Sequence, residues 1–344
     1  MKKRELNYEI IRTVSMFFVI SVHLLRIMPT DTELRALMFN VFNLLFLTCN
    51  GMFYMLSGKF ALQEKCETSK EYFWYYYKKI WGLVVPIVLY MLLRYSHDAN
   101  YTFLSSGFWM GFIQHLLSNY SSIEYWYLYV LVGNILLAPF MGTALRNTSN
   151  FGLCIFLFIG LFFNAMYTYM PLFGLTWSWK YPLESWTLYF YLGFVVDRII
   201  VTKKQKAGVF IVGILSIFVS LLQIYAGKAN NIYDLAPTFT CISCMMYMLL
   251  KSISIKNNIM QTILLFVSKH SFGIYMVHMT VLNSVIAIRP MNDNLYIEYL
   301  ITTTFIILII SLATGFIFDE VIVIPLKKGM FKLAKGIENR VHNC

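Results

Sequence analysis

Charge is what this sequence has least of. Only 13% of its 344 residues are Asp, Glu, Lys or Arg, whereas 58% are hydrophobic and 17% aromatic. A soluble globule of this size needs a more polar shell, so the composition excludes one and describes a polytopic membrane protein. Polar linkers, low-complexity runs and Pro/Gly/Ser-rich boundaries are also lacking, and residues 1–344 read as a single membrane domain. Acid is scarcer than base, 17 residues against 28, which leaves a formal charge of +11. Such an excess can signal a nucleic-acid partner, but here the basic residues stand at the ends of apolar runs. No nucleic acid is expected.

Cysteine pairs are nearly absent too. Of Cys49, Cys66, Cys154, Cys241, Cys244 and Cys344, only Cys241 and Cys244 make a CxxC, inside the apolar run "PTFTCISCMMYMLL". With no His or second Cys pair near it in sequence, this spacing points to helix packing, and neither a disulfide framework nor a metal site is indicated. The N-terminus has the basic tip of a signal peptide. Its apolar run is too long, contains Arg12 and lacks a small-residue cleavage site, so it reads as a retained first helix. The paired, similarly interrupted halves common in transporters are not seen either.

What fills the chain instead is apolar sequence. A spanning helix needs about 20 mostly apolar residues, and ten candidates are centred on 8–28, 37–58, 80–95, 124–141, 151–170, 184–200, 207–225, 232–250, 271–288 and 297–324. Cytoplasmic loops collect Lys and Arg. With the N-terminus inside, only Arg26, Arg35, Arg94, Lys180, Lys228 and Arg289 fall outside, and the other 22 of the 28 fall inside. The prediction is an all-α bundle of about ten transmembrane helices with both termini cytoplasmic. Residues 252–270 repeat their apolar side chains at helical spacing between polar ends, which predicts an amphipathic helix lying on the inner membrane surface. Residues 326–344 predict a basic cytoplasmic tail, and 96–123 and 171–183 the longest outer loops. These loops are rich in Tyr, Trp, Ser and Asn, which suits sugar binding or an interfacial aromatic belt.

The first helix, "NYEIIRTVSMFFVISVHLLR", carries Glu9, Arg12 and His23 within a run apolar enough to cross a bilayer. Charges in hydrocarbon are costly, so such residues face a protein or water-filled interior. Arg12 and His23 are eleven positions apart, close to three full turns, and share one stripe of the helix about 16 Å apart along its axis. That places Arg12 near the inner surface and His23 in the outer half. Glu9, one turn before Arg12, is spaced to orient the guanidinium, or simply to hold the helix against a neighbour.

"YEIIRTVSMFFVISVH" resembles the first-helix signature of the acyltransferase-3 family of integral-membrane acyltransferases. "FYMLSGKFAL", "YYYKKIWGLVVP", "EYWYLYVLVGNILLAP", "LYFYLGFVVDR" and "SKHSFGIYMVH" are similar to later family elements and follow in the same order. Two departures stand out. Gly82 occupies the place of a second Arg expected three positions after Lys79, and Glu9 the place of a commoner Asp.

The resemblance implies transfer of an acyl group, usually acetyl, from cytoplasmic acyl-CoA to a hydroxyl of a polysaccharide or lipid-linked sugar, in a bacterial plasma membrane. Arg12, Lys78 and Lys79 would then hold CoA phosphates, with Ser57 and Gly58 at the entrance or easing a close helix approach. His23 would act as general base or carry the acyl group itself, with Glu9 the other catalytic candidate. Glu124 and Trp126 would meet the acceptor or anchor the interface, and Tyr275 and His278, on one face of the ninth helix, would join the site or bond between helices. Glu184 and His115 are weaker outer candidates. Further expected partners are membrane lipids and a second copy or a glycan-synthesis complex. A transporter of a polar glycan is the competing reading.

Overall fold

Helix starts are written in hydrogen-bonding side chains that accept from first-turn amides. Thr32 caps α2, Thr68 and Glu71 form a capping box on α4, Ser149 caps α8, Thr202 and Gln205 form a second box on α10, and Asn257 caps α12. The computed structural model describes residues 5–98, 103–118, 123–179, 181, 183, 185–227, 232–291 and 296–342. Among them lie α1 (Leu6–Leu25), α2 (Glu33–Phe46), α3 (Thr48–Ala61), α4 (Ser69–Lys79), α5 (Val85–Asp98), α6 (Ser106–Ser118), α7 (Trp126–Asn147) and α8 (Asn150–Tyr169). These are followed by α9 (Trp186–Ile199), α10 (Lys203–Tyr225), α11 (Pro237–Ser252), α12 (Asn258–Lys269), α13 (Ser271–Ile288), α14 (Tyr296–Phe318) and α15 (Ile324–His342). No strand occurs among the described residues. The fold is an all-helical membrane bundle.

Among the described residues, eight helical stretches are long and apolar enough to cross a membrane. The remaining two candidates, 184–200 and 232–250, are realised as α9 and α11, of 14 and 16 residues. At 1.5 Å per residue these reach only about 21 and 24 Å, less than the hydrocarbon thickness. Their burial explains it. Almost every residue of α9 from Trp186 to Val196 is enclosed by neighbouring helices, and a helix surrounded by protein is free of the length that lipid demands.

One other expectation changes. The 96–123 loop contains α6, because Phe108 and Phe112 recur one turn apart and both rings pack on Tyr95. Residues 326–342, within the expected basic tail, are helical: α15 continues α14 through the π-helical turn Asp319–Val323. A matching π turn, Ile80–Val84, joins α4 to α5. Both turns precede a proline, Pro86 or Pro325, whose missing N–H removes one rung of the α ladder. The amides just before the prolines, Val85 and Ile324, reach back five residues, to the carbonyls of Ile80 and Asp319. Residues 252–270 do contain a two-faced helix, α12, with Ile259, Met260, Ile263 and Phe266 exposed and Val267 and Ser268 buried.

α1 lies at the centre. Two-thirds of its spanning window is buried, 67% against 17% for α10, and it packs on α2, α3, α11, α12, α13 and α14. The tightest crossing joins α3 and α9. A Cβ on Gly58 would sit 1.6 Å from the Phe190 carbonyl oxygen, and one on Gly193 1.8 Å from that of Met55. The two backbones touch, as small residues allow between membrane helices.

Candidate active site

The polar residues of α1 divide between its two ends. At the N-terminal end the Arg12 guanidinium donates to Glu9 Oε2 at 2.5 Å and to the Ser268 hydroxyl at 3.1 Å, while Ser268 itself donates to Glu9. The arrangement fixes α12 against α1. It leaves the Glu9 side chain 6% exposed and that of Arg12 25% exposed, so the guanidinium keeps a face open to an anion. Ser57 is hydrogen-bonded to the Tyr127 hydroxyl, and Arg12 lies near enough to act electrostatically on the same group. Arg12, Glu9 and Ser57 therefore belong to one region.

Lys78 and Lys79 do not join them. They line a separate cavity of about 520 Å³ between α4 and the segment before it, with Lys65, Lys70, Glu64 and Glu71, and Arg12 is not part of its wall. The Lys79 ammonium lies 5.1 Å from the Tyr75 ring centroid, a cation–π contact. Gly82, where the second Arg of the resembled pattern would stand, falls within the π turn.

At the C-terminal end of α1, His23 opens on a cavity of about 420 Å³ whose wall includes Glu124, Trp126, Trp186, Asp234 and Tyr275. The segment before α7 is pinned to α13 from both sides. Tyr275 donates its hydroxyl hydrogen bond to the Glu124 carbonyl, and Tyr125 donates to the Met276 carbonyl at 2.8 Å. This holds the Glu124 carboxylate beside the cavity, 4% exposed, with Oε2 free of hydrogen-bond partners among the described residues. Trp126 and Trp186 form an aromatic wall with centroids 5.4 Å apart, and Tyr54 stacks on Trp186 at 6.0 Å. Burial raises the Asp234 carboxyl above the ordinary range, against the opposing hydrogen bond from the Leu235 amide. A wall of aromatic faces with acidic groups matches a polyhydroxylated ligand, whose C–H faces stack while its hydroxyls donate.

His278 stands beside His23, with ring centroids 5.3 Å apart. The structure thus brings together His23, Glu124, Trp126, Tyr275 and His278 from three parts of the chain. His115 is held by α6 against Tyr95, at 4.8 Å between centroids, and does not line this cavity. Glu184 lies outside the described residues.

Sequence reasoning missed Trp186, Asp234 and a buried charge cluster. Asp197, 2% exposed in its side chain, accepts from Lys251 Nζ at 2.5 Å, Lys59 Nζ at 3.1 Å and the Tyr8 hydroxyl at 2.6 Å. This ties α1, α3, α9 and α11 together below the Arg12 region. The signal was present: Asp197 is the next-to-last residue of "LYFYLGFVVDR" and Lys59 follows the Ser-Gly pair, both ionisable groups at the edge of apolar runs. Asp197→Ala would leave two ammonium groups without their carboxylate. Removing one partner of a buried pair costs about 3–5 kcal/mol, and because both lysines keep some solvent contact the lower end is expected. Thermal unfolding in detergent should show a clear fall in Tm, and an unchanged Tm would make the cluster incidental.

Compared with family models, residues 5–319 match an acyltransferase domain, the acyltransferase-3 model. No curated protein and no solved structure matches the chain. The matched span begins just before α1 and ends at the π turn after α14, so it contains both ends of α1 and every wall of the His23 cavity. The chain belongs to the acyltransferase-3 family and is a membrane acyltransferase.

Proposed function

We propose that this acyltransferase moves an acetyl group from cytoplasmic acetyl-CoA to a hydroxyl of a cell-surface polysaccharide or lipid-linked glycan in a bacterial plasma membrane. One observation carries the reading. A single central helix bears a partly exposed arginine side chain at one end and, about 16 Å along, a histidine facing a cavity lined with aromatic and acidic side chains. CoA is polyanionic and stays on its own side, while its narrow pantetheine arm is long enough to enter a bundle.

Arg12 holds donor phosphates by charge-assisted hydrogen bonds. Lys78 and Lys79, in their own cavity, raise the local concentration of the anion on what the charge asymmetry predicts to be the same face. At the far end the acceptor rests against Trp126 and Trp186 with a hydroxyl toward His23. His23 takes the hydroxyl proton as the oxygen attacks the thioester carbonyl. A C–O bond forms, the C–S bond breaks, and the proton passes from His23 to the departing sulfur, leaving an ester and free CoA.

Purified protein in nanodiscs is expected to consume labelled acetyl-CoA in the presence of a soluble glycan acceptor. Arg12→Lys keeps the charge but loses the bidentate fork, and should raise KM for acetyl-CoA about ten- to hundredfold, the worth of one charged hydrogen bond, with a smaller change in kcat. A KM unchanged in both Arg12→Lys and Arg12→Ala would remove the donor from Arg12.

A further inference from the structure

Resting on the proposed transfer reaction, we propose that His278 is the positioning residue for His23: it fixes the tautomer that leaves a bare nitrogen of His23 facing the acceptor. His278 is fully buried and does not line the cavity, whereas its neighbour His23 does. His278 therefore stands behind His23 and touches neither donor nor acceptor.

Its own protonation pattern is set by the backbone. Nδ1 lies 2.5 Å from the carbonyl oxygen of Tyr275, one turn earlier on α13. A carbonyl only accepts, so Nδ1 carries the hydrogen, and in a neutral imidazole Nε2 is then a bare lone pair. This Nε2 is buried with no hydrogen-bond partner among the described residues. A second proton there would place a cation in a buried site already facing Arg94. The other charged groups acting on the histidine pair are Glu124 and Arg26, both on the cavity side.

A buried acceptor without a donor is costly, and among the described residues two rings pack against His278, those of Tyr275 and His23. The Tyr275 ring packs on His278 at 5.5 Å, but its hydroxyl is committed to the Glu124 carbonyl. The His23 ring, at 5.3 Å between centroids and tilted by 47°, brings two imidazole edges within reach of one hydrogen bond after a small rotation. An N–H of His23 given to His278 leaves the other His23 nitrogen unprotonated. That nitrogen is the base. The arrangement parallels the way a carboxylate orients the histidine of a hydrolytic triad, with a tautomer-locked neutral imidazole in its place. When His23 holds the hydroxyl proton in transit, the same bond supports the imidazolium, and His278 gains and loses nothing over the cycle.

Two substitutions separate this role from packing. His278→Gln can set an amide oxygen near the Nε2 position and keeps an acceptor for His23. His278→Asn can keep an N–H on the Tyr275 carbonyl but removes that acceptor. Measured on full-length protein in nanodiscs with acetyl-CoA and glycan acceptor, the Gln variant should retain kcat within about tenfold, and the Asn variant should lose about a hundredfold with KM for acetyl-CoA unchanged. Histidine-labelled nitrogen NMR, differenced against His278→Gln, should show His278 protonated at Nδ1, a readout that needs no turnover. Equal kcat in the two variants, or an Nε2-protonated His278, overturns the proposal. Wild-type protein that shows the Nδ1–H form yet consumes no acetyl-CoA overturns the transfer reaction and the orienting role with it.

Discussion

His23→Ala should lower kcat by about 10²–10⁴-fold, the range for a positioned general base, while KM for acetyl-CoA stays close to wild type. The split follows from geometry. His23 and Arg12 are held by the same rigid helix but belong to different surroundings, His23 to the 420 Å³ cavity and Arg12 to the cluster with Glu9 and Ser268. Truncating His23 enlarges an existing cavity, so folding should survive, and equal yield and Tm in the variant verify it. Arg12→Lys should fail in the opposite sense, in KM. The same comparison resolves the two chemistries open to an imidazole. A carrier role would leave an acyl group on wild-type protein incubated with donor alone, and intact-mass measurement would detect it; the base role expects none. Transfer at the normal rate by His23→Ala would end both roles.

Gly193→Ala and Gly58→Ala should have the largest structural effects of any single-methyl changes. The added carbon would stand 1.8 Å from the Met55 carbonyl oxygen, and in Gly58→Ala the corresponding distance to the Phe190 oxygen is 1.6 Å. Overpacking ordinarily costs about 1–3 kcal/mol because side chains can rotate away. Here the obstacle is backbone on both sides, so α3 and α9 must separate and the cost should reach or pass that upper bound. α9 is too short to be held by lipid and depends on this crossing. Folded yield in detergent and Tm by intrinsic fluorescence are the measurements. A Gly193→Ala protein melting within about 2 °C of wild type would contradict the packing, whereas Gly133→Ala, which meets nothing within 4 Å, should be neutral.

The elements legible in the sequence were those whose signal is local. Apolar length marks α1, α7, α8, α10, α13 and α14, and helix angle alone puts Arg12 and His23 on one stripe. The two-faced pattern of 258–269 gives α12 before any packing is known. Features set by contact between distant segments were not readable. The shortness of α9 and α11 reflects burial inside the bundle, which composition does not encode. α6 was hidden because Gly107 and Gly111 interrupt a short apolar run that starts after two serines, and its reason for folding is Tyr95 on α5.

The site divides in the same way. Glu124, Trp126, Tyr275 and His278 could be nominated one by one, but their meeting around His23 depends on hydrogen bonds between residues 151 positions apart, from Tyr275 to Glu124 and from Tyr125 to Met276. Asp197 finds Tyr8 across 189 positions and Lys251 across 54. The expected union of Arg12 with Lys78 and Lys79 is not formed, since the two lysines line another cavity. Charge type could suggest a shared role, but only packing could assign a shared wall.

The measurement that tests the account most directly is sided transfer. Protein reconstituted in one orientation would receive labelled acetyl-CoA on the face predicted to be cytoplasmic, with a membrane-impermeant glycan acceptor present on both faces. The account expects labelled ester on the acceptor opposite the donor, one CoA released per ester, and loss of that product in His23→Ala. Ester confined to the donor's own side, or glycan crossing the membrane without CoA release, would contradict it.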